Sequence, residues 1–163
     1  MTVAQHQATF RHVLGHFPSG IAVVTGLDAG EPVGLAVSSF TSVSLDPALV
    51  GFFPARSSSS WPRIERAGAF AVNVLGEHQE DLCRAFATSG SDKFDGVGWR
   101  PGDTGAPVLD GAIASIECEL AEVTDAGDHL FVLGRVRTLS STPGRGPLVF
   151  FRGGYARLGL DVA

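Results

Sequence analysis

The sequence contains little lysine, little cysteine and no long apolar run, and each shortage excludes a class of protein. Lys93 is the one lysine among twelve basic residues, and the arginines are scattered, so no clustered basic surface for nucleic acid is expected. No run approaches the ~18 uninterrupted apolar residues of a membrane-spanning helix. The N-terminal residues lack the apolar segment of a signal peptide. We therefore expect a cytoplasmic protein that binds neither nucleic acid nor membranes.

Metal ligands and nucleotide motifs are also scarce. Cys83 and Cys118 belong to no CxxC pattern, and the five histidines form no HExxH sequence, so we expect two buried free thiols and no metal site. His12 and His16 could face a metal from one helix, but surface histidines are the favoured interpretation. The sequence has no P-loop and no GxSxG elbow, and the glycines at 144–146 lack the third glycine of a dinucleotide fingerprint.

The length and composition predict one folded domain over residues 1–163. The mass of 17.0 kDa allows a full core, and 44% hydrophobic against 18% charged residues is too apolar for a disordered chain. The formal net charge is −5. Because so small a chain carries so much apolar sequence, a protomer interface is also expected.

Local patterns predict a mainly β protein with a few helices. Thr2 and Gln5 fit a capping box, and the following apolar residues recur at helical spacing, so a helix is predicted over 2–17. Shorter helices are predicted at 62–67 and 77–87, and a long loop at 88–110. Strand patterns occupy 21–25, 33–45, 49–53, 70–75, 116–120, 130–139 and 147–158. About seven strands with few helices favour a closed antiparallel barrel with helices outside it.

Three segments are candidates for binding chemistry. Residues 36–44 carry hydroxyls on both faces of a predicted strand, which suits a phosphate-bearing cofactor, although an edge strand with solvated hydroxyls is an equal alternative. Residues 56–62 place an arginine and four serines before a short helix, which favours an anion site over a flexible loop tip. Residues 127–129, Gly-Asp-His, fit a simple hairpin turn when taken alone.

Taken together and in order, these segments resemble the flavin reductase family. The resemblance extends from about Phe17 to Leu158, and any one motif would be weak by itself. The matching stretches are PSGIAVVT at 18–25, SSFTSVSLDP at 38–47, FAVNVL at 70–75, FA at 86–87, DKF at 92–94, VLDG at 108–111, GDH at 127–129 and LVFF at 148–151. One departure is Ala48, where many members have a second proline.

The resemblance implies a fold, an activity and partners. The fold would be mainly β, an antiparallel split β-barrel of the FMN-binding split-barrel type. The activity would be NAD(P)H-dependent reduction of FMN or FAD, with NADH or NADPH as the hydride donor. The reduced flavin would pass to a separate flavin-dependent monooxygenase. The family also implies a homodimer with the flavin at the subunit interface.

The resemblance also implies roles for individual residues. Val37, Ser38 and Ser39 would form the backbone edge that meets the isoalloxazine ring. The phosphate contacts would be Thr41, Ser42, Arg56 and Ser57, and the flavin tail would meet Phe86 and Ala87. The nicotinamide side would hold Asp128 and His129, with Arg152 and Tyr155 facing the same pocket. His129 would be the catalytic residue, orienting the nicotinamide or stabilising charge on the reduced flavin.

Two other functions stay open from the sequence. One is a split-barrel FMN oxidoreductase that keeps a tightly bound flavin and acts on a specific organic substrate. The other is a flavin-binding module without catalysis, in which residues 127–129 are only a turn. The residues do not decide between FMN and FAD, or between NADH and NADPH.

Overall fold

The computed structural model describes residues 2–90 and 92–159. In these residues there are three helices, α1 (Val3–Leu14), α2 (Trp61–Ala67) and α3 (Glu80–Ala87). The strands are β1 (Ser19–Gly20), β2 (Ala22–Asp28), β3 (Glu31–Val37), β4 (Thr41–Leu45), β5 (Ala48–Phe52), β6 (Ala69–Val74), β7 (Trp99–Pro101), β8 (Pro107–Leu109), β9 (Ala114–Ala126), β10 (His129–Ser141), β11 (Leu148–Phe151) and β12 (Gly154–Arg157).

Seven of these strands form one antiparallel sheet. Its order is β3-β2-β6-β9-β10-β5-β4, with β9 and β10 as the long central hairpin. A second sheet has the order β1-β11-β12, and β7 pairs with β8. The prediction of a mainly β, antiparallel fold is therefore confirmed. Among the described residues, no helix combines the length and apolar character that crossing a bilayer requires.

A short link joins the two edge strands of the main sheet. β3 ends at Val37 and β4 begins at Thr41, so their Cα atoms are at most about 15 Å apart. In a flat sheet, six strand spacings would separate β3 from β4 by roughly 29 Å. The sheet must therefore roll up, which brings its two edges together as an incompletely closed barrel. The single strand predicted over 33–45 is wrong, because the chain leaves one edge and enters the other at 38–40.

The barrel interior is filled by aromatic and branched side chains. The Phe52 ring packs edge-to-face on Phe70 and Trp61, with ring centroids 5.4 and 5.6 Å apart. A second cluster, which includes Leu75, Phe86 and Leu148, packs α3 against the outside of the barrel. Cys83 and Cys118 are both buried and free, as predicted, and burial raises the pKa of the Cys118 thiol to about 12.

Buried polar groups attach the 99–109 segment to the barrel. Asn73 is fully buried, donates to Val23 O at 3.2 Å and accepts from the Leu109 N–H at 2.8 Å. Glu117 is 4% exposed and accepts from both the backbone N–H and the hydroxyl of Thr104. The strict alternation of polar and apolar residues at 116–120 is typical of a half-buried strand, but Glu117 is buried because this segment covers the outer face of β9.

Several predicted boundaries also change. The capping box at Thr2 is confirmed, but α1 ends at Leu14 because Gly15 caps it, not at residue 17. The predicted strand 147–158 is a hairpin of β11 and β12 that turns at Arg152 and Gly153, both with positive φ. No residue of α1 is buried, so its apolar stripe is uncovered in the single chain.

An ion-pair cluster fixes α2 to the end of β2. The carboxylate of Asp28 accepts from Arg63 Nε at 3.0 Å and from Arg66 Nη2 at 2.6 Å. The Asp28 side chain is only 11% exposed. The two guanidinium groups, Arg66 first, hold the Asp28 pKa near 2, below its usual 3.8. The folded state therefore favours the ionised carboxylate more than the unfolded chain does.

This lowered pKa predicts an acid-dependent loss of stability. The contribution of Asp28 is complete above about pH 4 and disappears as the pH falls through about 2, because protonation removes the charge that the arginines bind. Urea unfolding of the wild type and of Asp28→Asn should differ most above pH 4 and converge near pH 2. Arg66→Gln should reduce that pH-dependent difference. A difference between wild type and Asp28→Asn that is constant from pH 2 to 7 would contradict the assignment.

Candidate functional site

A large cavity opens beside the rolled edge of the sheet. Its volume is about 1180 Å³. Its walls come from α1, from β3 and the link that follows it, from the segment after β5, from the end of α3 with Thr88 and Ser89, and from the turn between β9 and β10. The cavity thus lies where the seven-stranded sheet fails to close on itself.

The link between the edge strands forms one wall. Val37, Ser38 and Ser39 line the cavity, where the sequence placed a flavin-binding edge. Ser39 Oγ accepts from the Phe53 N–H at 3.0 Å, which holds the link against the end of β5. Thr41 and Ser42 do not line the cavity but are exposed on edge strand β4. For these two residues the structure matches the alternative of a solvated edge strand.

The serine run after β5 forms a second wall. Ser57, Ser58, Ser59 and Ser60 all line the cavity. Ser58 Oγ accepts from the Trp61 N–H at 3.2 Å, and this bond holds the run at the start of α2. The hydroxyls of this wall are neutral hydrogen-bonding groups of the kind that bind phosphate or ribityl oxygens.

Lys93 reaches the same wall from the segment after α3. Its ammonium donates to Gly34 O at 3.2 Å, to Ser60 Oγ at 3.3 Å and to Phe86 O at 3.2 Å. All three acceptors are neutral, so they orient the charge without cancelling it. Burial lowers the Lys93 pKa. The sequence analysis identified Lys93 only as part of the DKF motif. The one other indication that it could be functional was that it is the single lysine of the chain.

The Gly-Asp-His turn also forms part of the cavity wall. His129 Nδ1 lies 2.7 Å from Asp128 Oδ1, and both residues line the cavity. Because the carboxylate can only accept, we assign the proton to Nδ1, which leaves Nε2 for a ligand. The bond to His129 holds the Asp128 pKa below its ordinary value. The turn therefore presents an oriented imidazole rather than only reversing the chain.

Arg56 holds this turn in place and does not line the cavity. Its backbone N–H donates to Asp128 O at 3.0 Å, and its Nε donates to Gly127 O at 2.8 Å. Its guanidinium also pairs with Asp125. The expectation of a phosphate contact does not match this placement, because the charge of Arg56 already has a carboxylate partner.

The remaining predicted residues divide into two groups. Phe86 and Ala87 lie in the cavity wall. Arg152 and Tyr155 do not line this cavity in the single chain, and their predicted role on the nicotinamide side stays a prediction. Tyr155 accepts from the Cys83 thiol at 3.5 Å beneath the Arg84 guanidinium, and the Arg152 N–H donates to Gly15 O at 2.8 Å.

Helix α1 supplies a wall that the sequence did not identify. Its cavity-lining residues are His6, Gln7, Phe10, Arg11 and Leu14. Phe10 and Leu14, two residues of the apolar stripe, line the cavity and are not buried in the core. A basic residue beside the stripe, Arg11, was the available signal. His12 and His16 stack edge-to-face and lie outside the cavity wall.

The charges of the wall favour an anionic ligand. Arg11 and Lys93 are positive, and the one acidic residue of the wall, Asp128, is bonded to His129. The chain as a whole carries −5, so this cavity is locally opposite in sign to the rest of the protein. A concave site of one sign concentrates ligands of the other.

The wall also fits a planar apolar ring. Leu35, Val37, Phe53 and Pro54 provide apolar surface beside the polar groups. The volume of about 1180 Å³ is at or above the range of about 300–1,000 Å³ typical of ligand pockets, so two flat molecules have room. Apolar surface, hydroxyls and positive charge together suit a flavin and a nicotinamide nucleotide.

Comparison with known proteins identifies the family. Residues 14–159 match the model of the flavin reductase like domain. A flavin reductase of Pseudomonas putida is 51% identical over 147 residues, which cover 90% of this chain and 86% of that protein. A flavin-dependent monooxygenase reductase subunit, HsaB of Rhodococcus jostii, is 45% identical over 93% of this chain and 78% of its own length.

A solved structure agrees with the sequence comparison. The Streptomyces globisporus NADH:FAD oxidoreductase SgcE6, solved with NAD and FAD fragments, superposes with a TM-score of 0.92. It is 36% identical, and the match covers 100% of this chain and 99% of that one. With its rolled antiparallel sheet, its cavity at the open edge and these matches across nearly its whole length, this chain belongs to the flavin reductase family.

Proposed function

We propose that this protein uses NADH or NADPH to reduce FMN or FAD and releases the reduced flavin to a separate monooxygenase. The observation that carries the proposal is the cavity, whose wall includes an oriented His129 and also Lys93 with the serine run. The relative HsaB is named as the reductase subunit of a monooxygenase, which supports a separate oxygenase partner.

The chain's own residues bind and orient rather than form covalent bonds. When both are bound, the nicotinamide supplies a hydride and the flavin accepts it at N5. Val37, Ser38 and Ser39 offer a backbone edge for a flat ring, and Ser57 to Ser60 with Lys93 hold the phosphate end. His129 Nε2 is available to orient the nicotinamide or to stabilise negative charge. Positioning of this kind supplies most of the acceleration in a two-substrate reaction.

Release of the reduced flavin distinguishes this function from its alternatives. The cavity is open, and its wall provides mostly neutral hydroxyls, which suits a flavin that enters and leaves as a substrate. We also propose a cytoplasmic location, because Cys83 and Cys118 are separate free thiols. A flavin kept through purification would favour the oxidoreductase with a specific organic substrate.

The assay that tests the proposal uses purified protein, NADH or NADPH and added flavin without an oxygenase. We expect a pale protein whose nicotinamide oxidation, followed by absorbance, requires free FMN or FAD and saturates with it. Oxidation that proceeds without added flavin would support the tightly bound alternative. No oxidation with any of the four nicotinamide and flavin combinations would leave only a binding module.

His129→Ala should slow the reaction more than it weakens flavin binding. Loss of the imidazole removes the group that faces the nicotinamide, so we expect kcat to fall by at least about tenfold while the Kd of oxidised flavin stays within about threefold. Stopped-flow reduction and equilibrium dialysis measure the two quantities. The control is His12→Ala, which alters a histidine outside the cavity wall. Wild-type turnover in His129→Ala would remove this residue from the mechanism.

We further propose that a second copy of the chain covers the uncovered stripe of α1. Phe10, Val13 and Leu14 are 60, 57 and 51% exposed and share one face of α1, and Phe17, just after the helix, is 78% exposed. Phe10 and Leu14 also line the cavity, so a copy packed on this face would complete the cavity wall. Burial of such a stripe is the ordinary way in which a homodimer covers surplus apolar surface.

The dimer proposal predicts that charge on the stripe separates the protomers. Val13 and Phe17 do not line the cavity, so Val13→Glu combined with Phe17→Glu should disturb association without changing the cavity wall directly. Sedimentation equilibrium should show a dimer for the wild type and a monomer for the double variant. His12→Glu places the same charge on the opposite face of α1 and should stay dimeric. A monomeric wild type would overturn the proposal.

A further inference from the structure

A second, smaller cavity adjoins the first one behind Lys93. Its volume is about 270 Å³, and it shares Ser59, Ser60 and Lys93 with the large cavity. We call it the annex. Its own walls include Pro32, Val33 and Phe94. The annex therefore adjoins the large cavity at Lys93, and part of its wall is apolar.

The serine run connects two parts of the large cavity wall. Arg56 is bonded to the turn that carries His129, and Ser60 is bonded to Lys93. The Cα atoms of Arg56 and Ser60 are at most about 15 Å apart, because only three residues lie between them. The serine run therefore connects the turn that carries His129 to Lys93, and its last two residues, Ser59 and Ser60, also line the annex.

The annex carries positive charge of its own. Arg63 lines it, and Arg63 Nε is bonded to Asp28, which also accepts two bonds from Arg66. One carboxylate thus faces two guanidinium groups, so a net positive charge remains beside the annex. Lys93 adds a second positive charge, and Gly34 O, Ser60 Oγ and Phe86 O, which accept from it, are neutral. Two positive charges flanking a partly apolar wall match a diphosphate that is followed by a flat base.

We propose that the annex binds the adenylate part of FAD, with Lys93 and Arg63 flanking the diphosphate. This inference rests on the proposed function, because it assumes that a flavin occupies the large cavity. FMN ends where the annex begins, whereas FAD continues with a second phosphate and an adenine. The chain should therefore bind FAD more tightly than FMN. Arg63 is then a specificity-determining residue and not a catalytic one.

The test measures flavin binding by equilibrium dialysis without any nicotinamide nucleotide. Arg63→Ala should raise the Kd of FAD roughly tenfold, because it removes one charged hydrogen-bonding group, and should change the Kd of FMN less than about twofold. Arg66→Ala is the matched control. It also leaves Asp28 with one arginine, but Arg66 does not line the annex. Both flavins should bind Arg66→Ala as they bind the wild type.

A second variant tests the junction. Lys93→Gln keeps a hydrogen-bond donor for the neutral acceptors but removes the charge, so it should weaken FMN and FAD together by roughly tenfold. Thermal melting of each variant verifies that it is folded. Equal loss of FMN and FAD in Arg63→Ala, or no loss of either, would overturn the annex proposal.

The alternative occupant of the annex is the adenylate part of a nicotinamide nucleotide, because it carries the same phosphate and adenine groups as FAD. With FMN as the flavin, an Arg63→Ala protein whose KM for NADH or NADPH rises while its FAD affinity is unchanged would assign the annex to that nucleotide and overturn the proposal. Nicotinamide oxidation with unchanged FAD binding in Arg63→Ala would refute only the annex. Dialysis still tests the annex if the protein reduces no flavin.

Discussion

The length of the link between β3 and β4 is the constraint on which the rest of the structure depends. Three residues between the two edges of a seven-stranded sheet leave no room for a flat arrangement, so the sheet rolls until its edges approach. The edges do not pair with each other, and Ser39 holds the link to the end of β5 instead. The unpaired edge is where the cavity opens, so the same short connection produces both the barrel and its binding site.

Charge decides what this opening can bind. An acidic protein would repel a phosphorylated ligand at long range, yet Arg11 and Lys93 stand in the cavity wall. The acidic residue among the wall's side chains, Asp128, is engaged with His129. Lys93 matters most because its partners are neutral and come from three different segments. The Lys93 ammonium thus helps to hold β3, α2 and α3 together. The same group also contributes positive charge to the cavity wall.

Much of the fold was predictable from the sequence, because β-branched runs, turn residues and a capping box are local signals. Val37 to Ser39 and His129, which the family resemblance singled out, line the same cavity, and their roles toward flavin and nicotinamide stay predictions. What could not be predicted depends on distant contacts. Whether Arg56 faces a phosphate or a turn depends on Gly127 and Asp125, which are remote in sequence. Glu117 looked like a solvent-facing residue of an alternating strand, and only the covering Thr104 segment makes it buried.

The clamp between Arg56 and the 127–128 turn shows why positioning can replace chemical groups in this site. A two-residue hairpin turn between long strands bends easily, and His129 follows it directly. Arg56 bonds to the turn through its backbone N–H and its side chain, so the imidazole is held from the neighbouring strand end as well as from its own hairpin. Hydride transfer requires two rings at a short, defined separation, and small displacements reduce its rate steeply. Arg56 therefore acts on the site by fixing the position of His129, although it does not line the cavity itself.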